Sequence, residues 1–369
     1  MPLAKDIAQI QSLIINSLDG NAIGDKAIAG VIGDGPSQYS KSPALWNAAF
    51  QQLAMNAIYL PFDVADAKVG ELLRRLSQSE RFLGINVTVP HKVRVMDYLD
   101  GLDPGAERIQ AVNTVVKDAN GKLIGYNTDG EGFIDSLLLP SPGQKEPFVK
   151  SLDGMNVLLL GAGGAARAVA FHVSDHIGTG KLLIANRTRA RAESLASEIA
   201  KLGRQAIAID EMEVPNWAPQ VGLIVNSTTK GQGGIRKLAN GMATMLEPYS
   251  SLAPANPPIL SVALSATFEQ QWRAHAQADI EANNRGSEWL AQSIPQETRF
   301  YDLVYHPQET VLLRHGRLTG HRTMNGKNMI VCQAAVAFCQ RICQRRLQQL
   351  GKDDVETRRR IAEIMYASW

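Results

Sequence analysis

Two hydrophobic periods alternate along the first third of the chain. The runs "AIAGVIG", "AIYLPFDV", "GINVTVP" and "AVNTVVKD", between Ala27 and Asp118, are short, apolar and rich in β-branched residues, and they predict strands. Between them, "SPALWNAAFQQLA" and "AKVGELLRRLSQ" place apolar residues at helical spacing. Strand and helix in alternation predict an α/β fold with a mostly parallel sheet. "KDANGKLIGYN" sets Asn-Gly between β-type residues, a hairpin signal. In "GINVTVPHK", Ile85, Val87 and Val89 alternate with Asn86, Thr88 and Pro90. The off-side of that strand is therefore polar, and the proline ends it just before the ammonium group of Lys92.

Residues 140–150, "PSPGQKEPFVK", read as a loop between units. A second α/β unit follows: the strand "NVLLLG", a glycine-rich turn, a helix through His172 and the strand "LLIANR". A further strand, "GLIVNST", starts at Gly222. From Gly231 to Arg299 the pattern weakens. "KGQGGIRKLANG" and "LAPANPP" read as loops, "ILSVALSA" as a strand, and the rest as mixed and helical. One long helical pattern runs from Gly326 onward. Ile7, Ile10, Ile14 and Leu18 predict a helix near the N-terminus, where Asp6, Gln9 and Gln11 interrupt the apolar core that a signal peptide needs.

With 369 residues, 45% hydrophobic and 20% charged, the chain has ordinary globular composition and is long enough for two domains. A formal charge of +2 is too balanced for nucleic acid or an anionic membrane as the main partner. No run approaches the roughly 18 apolar residues of a membrane span. The basic run Arg358-Arg359-Arg360 reads as a solvated helix face. Cys332, Cys339 and Cys343 share one face of the C-terminal pattern. A metal site there needs a fourth ligand, so buried thiols and no metal are expected. An odd cysteine count without a secretory signal fits a reducing cytoplasm.

"NVLLLGAGGAARAVAF" places Gly161, Gly163 and Gly164 between an apolar strand and an alanine-rich helix, with Ala166 at the third fingerprint position. Such a turn lets backbone approach a pyrophosphate, which the helix N-terminus then stabilises. The next strand ends in Asn186-Arg187-Thr188, with Arg189 and Arg191 beyond, where an NAD site usually offers a carboxylate. Arginine suits the 2′-phosphate of NADP. Thr188 as a helix N-cap beside solvated arginines is compatible with that reading.

Three polar clusters sit at strand ends of the first unit: "SQYSKSP", "AVNTV" and "GYNTDGEGF". With Asn86, Thr88 and Lys92 they supply Ser40, Ser42, Asn113, Thr128 and Asp129. Short neutral hydrogen-bonders around one cation and one anion describe a site for a small polyhydroxylated molecule, with room for a carboxylate. Oxidising a secondary alcohol needs a group to take the hydroxyl proton, and the reverse needs a donor. Lys92 can do either, directly or through water, with Asp129 orienting it. A surface Lys–Asp ion pair is the alternative.

Together these stretches resemble the shikimate dehydrogenase family. "SKSP", "NVTVPHK", "AVNTVV", "GYNTDGEGF", "GAGGAARA", "NRT", "VNST", "DLVYHPQETVLL" and "GKNMIVCQAA" run in the family's order. The resemblance implies NADP-dependent, reversible reduction of 3-dehydroshikimate to shikimate. It implies a substrate domain over 1–130, an NADP-binding Rossmann domain over 131–320, and a segment 321–369 whose helix returns to the substrate domain. Lys92 and Asp129 would be the catalytic pair. Ser40 and Ser42 would hold the substrate carboxylate, with Asn86, Thr88, Asn113, Gln333 and Tyr305 around the ring. NADP would lie on Gly161, Ala162, Gly163, Gly164, Ala165, Asn186, Arg187, Thr188, Arg191, Ser227 and Gly326, with Met329 lining the nicotinamide side. A small acidic cyclitol is the expected partner, bound by a monomer or homodimer in the cytoplasm.

The chain departs from the family's pattern at Tyr39 and Trp46, where histidine is common, at Gln110, usually glycine, and at Thr229-Lys230. The stretch from Gly231 to Asp302 is longer than typical. These departures keep two alternatives open: a dehydrogenase of quinate or an amino-cyclitol, and a catalytically silent cyclitol or nucleotide sensor.

Overall fold

The computed structural model describes residues 5–261 and 267–369. They form two compact units, one running to Asp135 and including Ile330–Trp369, the other spanning Ser136–Met329. The first contains β1 (Ala27–Gly33), β2 (Ala57–Asp63), β3 (Phe82–Val87), β4 (Gly101–Leu102), β5 (Thr114–Lys117) and β6 (Leu123–Tyr126). Their order is β2-β1-β3-β5-β6-β4. β1 pairs parallel with β2 and β3, but β5 runs antiparallel to both β3 and β6. β4 pairs parallel with β6, so the sheet is mostly parallel, with β5 alone reversed. The Asn120-Gly121 turn, with Gly121 at φ +82, returns the chain at once, and a direct return can only be antiparallel.

β1 is buried along its whole length and feeds two cores. Ile28 and Ile32 meet Val69, Leu72, Leu73 and Leu76, the apolar stripe of the Val69–Gln78 helix. Ala29 and Val31 face the opposite side, with Leu45, Trp46, Ala49 and Phe50 of the Ser42–Gln52 helix. Phe338, Ile361 and Met365 from the C-terminal helices complete that second core, so this unit has three layers.

The C-terminal pattern is broken rather than continuous. Helices Lys327–Ala337, Gln344–Gln349 and Val355–Ala367 are interrupted by a π-helical turn at Phe338–Ile342. Cys339 and Cys343 are buried there and all three cysteines are free. Burial pushes the Cys332 and Cys339 thiols up to about 12 and Cys343 higher still. Among the described residues no cluster of His, Cys, Asp and Glu could hold a metal ion. Near the N-terminus the helix is Lys5–Gln11 only. Gln11 ends it by accepting from the Leu18 N–H at 2.7 Å and donating to the Asn16 carbonyl.

In the second unit β7 (Val157–Leu160), β8 (Leu182–Ala185), β9 (Ala206–Ile209) and β10 (Leu223–Asn226) are followed by a small antiparallel sheet. That sheet is β11 (Ile235–Lys237), β12 (Met242–Met245) and β13 (Leu260–Ser261). β14 (Arg299–Asp302) and β15 (Thr323–Met324) then rejoin the main sheet. Its order is β15-β14-β10-β7-β8-β9 and every pairing is parallel. This is a doubly wound Rossmann order, with its topological switch between β7 and β10.

The stretch "KGQGGIRKLANG", expected as a loop, holds β11, because Ile235 pairs in register with Met245. Of "ILSVALSA", Leu260 and Ser261 form β13 and residues 262–266 lie outside the described residues. The 26-residue helix Phe268–Ser293 closes this insertion over its own core of Met245, Tyr249, Phe268 and Trp272. Among the described residues no helix is long and apolar enough to cross a membrane.

Candidate active site

Lys92 lies in the turn after β3, and Asp129 is the first residue of the Asp129–Leu138 helix. Lys92 Nζ donates to Asp129 Oδ2 at 2.5 Å, with 30% of the lysine side chain and 11% of the aspartate side chain exposed. The carboxylate is therefore shielded while the ammonium group remains reachable. Asp129 Oδ1 accepts from Asn113 Nδ2 at 2.9 Å, and the Asp129 N–H is held by Asn127 Oδ1 at 3.0 Å. Each carboxylate oxygen thus has its own charged or amide donor, which locks the rotamer.

Asn113 is the hub. Its Oδ1 accepts from the Thr128 N–H and the Thr114 hydroxyl, both at 2.9 Å. Its Nδ2 reaches Thr128 Oγ1 at 2.9 Å and, more loosely, Gln333 Oε1 at 3.4 Å. Gln333 gets there because Gly132 packs directly on its backbone; a Cβ at Gly132 would lie 2.4 Å from the Gln333 nitrogen. Only glycine permits that approach between the two helices.

Asn86 is oriented inward. Its Nδ2 donates to Thr114 Oγ1 at 2.9 Å and the Asn113 carbonyl at 3.3 Å, and its Oδ1 accepts from the Tyr59 hydroxyl at 2.7 Å. Both amide hydrogens of Asn86 have protein partners, as do those of Asn113. Thr88 is half-buried and its hydroxyl has no partner among the described residues. The loop carrying Ser40 is pinned by Asp63, whose carboxylate accepts from Ser37 N at 2.8 Å and Ser37 Oγ at 2.5 Å. Ser40 Oγ accepts from Ser42 N at 3.3 Å. Burial pushes the Tyr59 phenol well up, and the Ser42 hydroxyl opposes that shift. Ser40, Ser42, Thr88, Lys92, Asn113, Asp129 and Gln333 all lie in the first unit.

Trp46 is fully buried and stacks on Tyr59 with ring centroids 4.7 Å apart. It belongs to the core and not to the site. Tyr39, the other histidine replacement, is 41% exposed and its hydroxyl donates to Asp34 Oδ1 at 3.1 Å. Gln110 takes the left-handed conformation, φ +59, at the end of the Pro104–Ile109 helix, which accounts for the glycine usual there.

In the second unit the β7 strand runs into Gly161, Ala162 and Gly163, and the Gly164–His176 helix follows. Gly161 has φ +113, and a Cβ there would lie 2.6 Å from Ser227 Oγ. Ser227 braces this turn by donating to the Leu160 carbonyl at 2.7 Å. Gly163, Gly164 and Ala165 are exposed, and a Cβ on either glycine would meet no protein atom. That open cradle at a helix N-terminus fits a pyrophosphate.

At the end of β8, Asn186 Nδ2 donates to the Thr188 carbonyl at 2.9 Å. Thr188 is the N-cap of the Arg189–Ala200 helix by position, but its hydroxyl makes no capping bond. Arg189 is tied to Glu193 at 2.9 Å. Arg187 and Arg191 are exposed with no side-chain partner among the described residues. Gly326 touches the Leu303 carbonyl, where a Cβ would lie at 2.0 Å, and Met329 is buried. Tyr305 is half-buried in the loop after β14, and burial pushes its phenol up.

The structural partners that sequence reading missed are Tyr59, Thr114, Asn127, Gly132 and Asp302. Asp302, at the end of β14, is buried while accepting from Asn226, Thr310 and the Val304 N–H at 2.6–2.9 Å. Only the period-two placement of Tyr59 and Thr114 in strands hinted at a shared face, since their contacts depend on strand order.

Comparison with known proteins agrees with this geometry. A family model described as "Shikimate dehydrogenase substrate binding domain" matches residues 31–115, and one described as "Shikimate / quinate 5-dehydrogenase" matches 145–244. The shikimate dehydrogenase (NADP(+)) of Symbiobacterium thermophilum is 36% identical over 319 residues, 85% of this chain and 88% of that protein. The structure of shikimate 5-dehydrogenase from Thermus thermophilus in complex with NADP(H) and shikimate has 27% identity and a TM-score of 0.63, covering 93% of this chain and 99% of that one. Quinate dehydrogenase from Corynebacterium glutamicum in complex with NAD has 26% identity and a TM-score of 0.65 over 93% and 99% of the two chains. A Rossmann unit and a three-layer unit carrying Lys92 and Asp129, with sequence identity across most of the chain, place this protein in the shikimate dehydrogenase family.

Proposed function

We propose that this protein is an NADP-dependent shikimate dehydrogenase that reversibly reduces 3-dehydroshikimate to shikimate. The observation that carries the reading is the Lys92–Asp129 pair, with the ammonium group reachable and the carboxylate fixed, in a chain of this family. Lys92 gives a proton to the carbonyl oxygen in reduction and takes it from the hydroxyl in oxidation. Asp129 holds the lysine and accepts from a neighbouring hydroxyl of the ring. Ser40 and Ser42 donate to the ring carboxylate, while Thr88, Asn113 and Gln333 bind its polar edge. Asn86 supports these groups from behind.

NADP, when bound, supplies or accepts the hydride. The open turn at Gly163 and Gly164 fits its pyrophosphate, and the unpaired Arg187 and Arg191 suit a 2′-phosphate. Free cysteines accompany our placement of the enzyme in a reducing cytoplasm. Turnover of a cyclitol panel with NADP and NAD in parallel is the test. Shikimate with NADP should be the best pair. Preference for quinate would move the assignment to that substrate, and no absorbance change at 340 nm with any cyclitol would remove the enzyme reading.

A further inference from the structure

The catalytic pair stands at one end of a hydrogen-bonded chain whose direction two backbone groups dictate. The Asn113 carbonyl can only accept, so the Asn86 side chain must turn its nitrogen toward it and its oxygen toward Tyr59. The other Asn86 hydrogen then goes to Thr114 Oγ1, which leaves the Thr114 proton for Asn113 Oδ1. The Thr128 N–H can only donate, and it fixes that same Asn113 oxygen as an acceptor. The Asn113 nitrogen therefore faces Asp129 Oδ1, and Lys92 takes Oδ2.

At the other end the Tyr59 hydroxyl donates to Asn86 Oδ1 at 2.7 Å. Tyr59 in β2 crosses over β1 to reach Asn86 in β3, two strand spacings or roughly 9–10 Å. It can do so because Ala29, its register partner on β1, is small and faces the same core. Trp46 stacks on the tyrosine ring with centroids 4.7 Å apart and packs against it in the buried core.

We propose that Tyr59, Asn86 and Thr114 are positioning residues, forming a one-way donor chain from Tyr59 to Asn113 that aims the Asp129 carboxylate at Lys92. The proposal rests on the functional reading above. Buried chains of this kind polarise each link and act as a unit, so losing any one link should cost what losing the whole costs. The chain joins the buried face of β2 to the carboxylate beside the reacting lysine.

The test uses Tyr59→Phe, Thr114→Val, their combination, and Thr114→Ser. Each of the first two should lower kcat by roughly 5–30-fold, the effect of one buried hydrogen bond, with KM for shikimate changed about 2-fold or less. Thr114→Ser, which keeps the hydroxyl, should restore kcat. The double variant should be no worse than the worse single. Multiplicative losses, or a serine variant as poor as the valine, would overturn the chain. A second readout needs no turnover: side-chain amide NMR signals of Asn113 in ligand-free Tyr59→Phe. They should shift although Tyr59 does not touch Asn113, and unchanged signals refute the proposal. That arm still decides if the wild type turns over no shikimate, the result that would remove only the functional reading.

Discussion

Lys92 Nζ and Asp129 Oδ2 are 2.5 Å apart although 37 residues separate them in the chain. One arrives from the turn that follows β3 and the other from the first residue of the Asp129–Leu138 helix. The β3-β5-β6 order brings these two strand ends together.

Lys92→Ala should lower kcat by roughly 10²–10⁴, the usual contribution of positioned acid–base catalysis, with a smaller change in KM. Steady-state kinetics in both directions measures this. A variant keeping more than half of wild-type kcat would take Lys92 out of the mechanism.

Coenzyme choice should follow the unpaired arginines. A charge-assisted contact to a phosphate contributes roughly 1.5–3 kcal/mol, so Arg187→Ala should weaken NADP binding by about 10–100-fold and leave NAD nearly untouched. Arg189 is tied to Glu193, and Arg189→Ala should leave the preference close to wild type. The preference should shrink as salt rises. Comparing kcat/KM for the two coenzymes decides it, and wild-type preference for NAD would show that Arg187 points elsewhere.

Gln110 occupies a left-handed position that a side chain adopts at a cost. Gln110→Gly should raise stability by about 0.5–1 kcal/mol after allowing for the greater freedom of glycine when unfolded. The urea midpoint should rise at constant slope. A lower midpoint would mean that the 2.5 Å Gln110–Glu107 hydrogen bond outweighs the backbone strain.

Asp302 should leave a pH signature in stability. Burial pushes its carboxyl from 3.8 to about 7, against the pull of its three donors. Between about pH 4 and 7 the folded chain holds a proton that the unfolded chain has released. Stability therefore falls as pH rises through that window and levels off above it, by on the order of 4 kcal/mol. Asp302→Asn should remove this slope. Urea titrations of both proteins at pH 5 and 8 test it: the asparagine variant should gain on wild type at pH 8, and parallel curves would refute the assignment.

Local pattern was enough for much of this protein. Period-two and helical spacing located the strands and helices around β1, β2, β3, β7, β8 and β10, because each element's buried face is written in nearest-neighbour positions. The glycine turn at Gly161–Gly164 and the polar ends at Ser40, Lys92, Asn113 and Asp129 were legible for the same reason: special backbone or chemistry needs particular residues there. What tertiary structure alone decided is how these polar residues are partnered. Asn86 and Thr88 sit two apart on one strand face, yet Asn86 turns to Tyr59 and Thr114 while the Thr88 hydroxyl has no partner among the described residues. Trp46 stands where histidine is common in the family and is core by packing. The pairing of β5 with β3 and the strand β11 of the insertion also escaped the pattern. Strand order and cross-strand partners join residues far apart in the chain, and no local period encodes them.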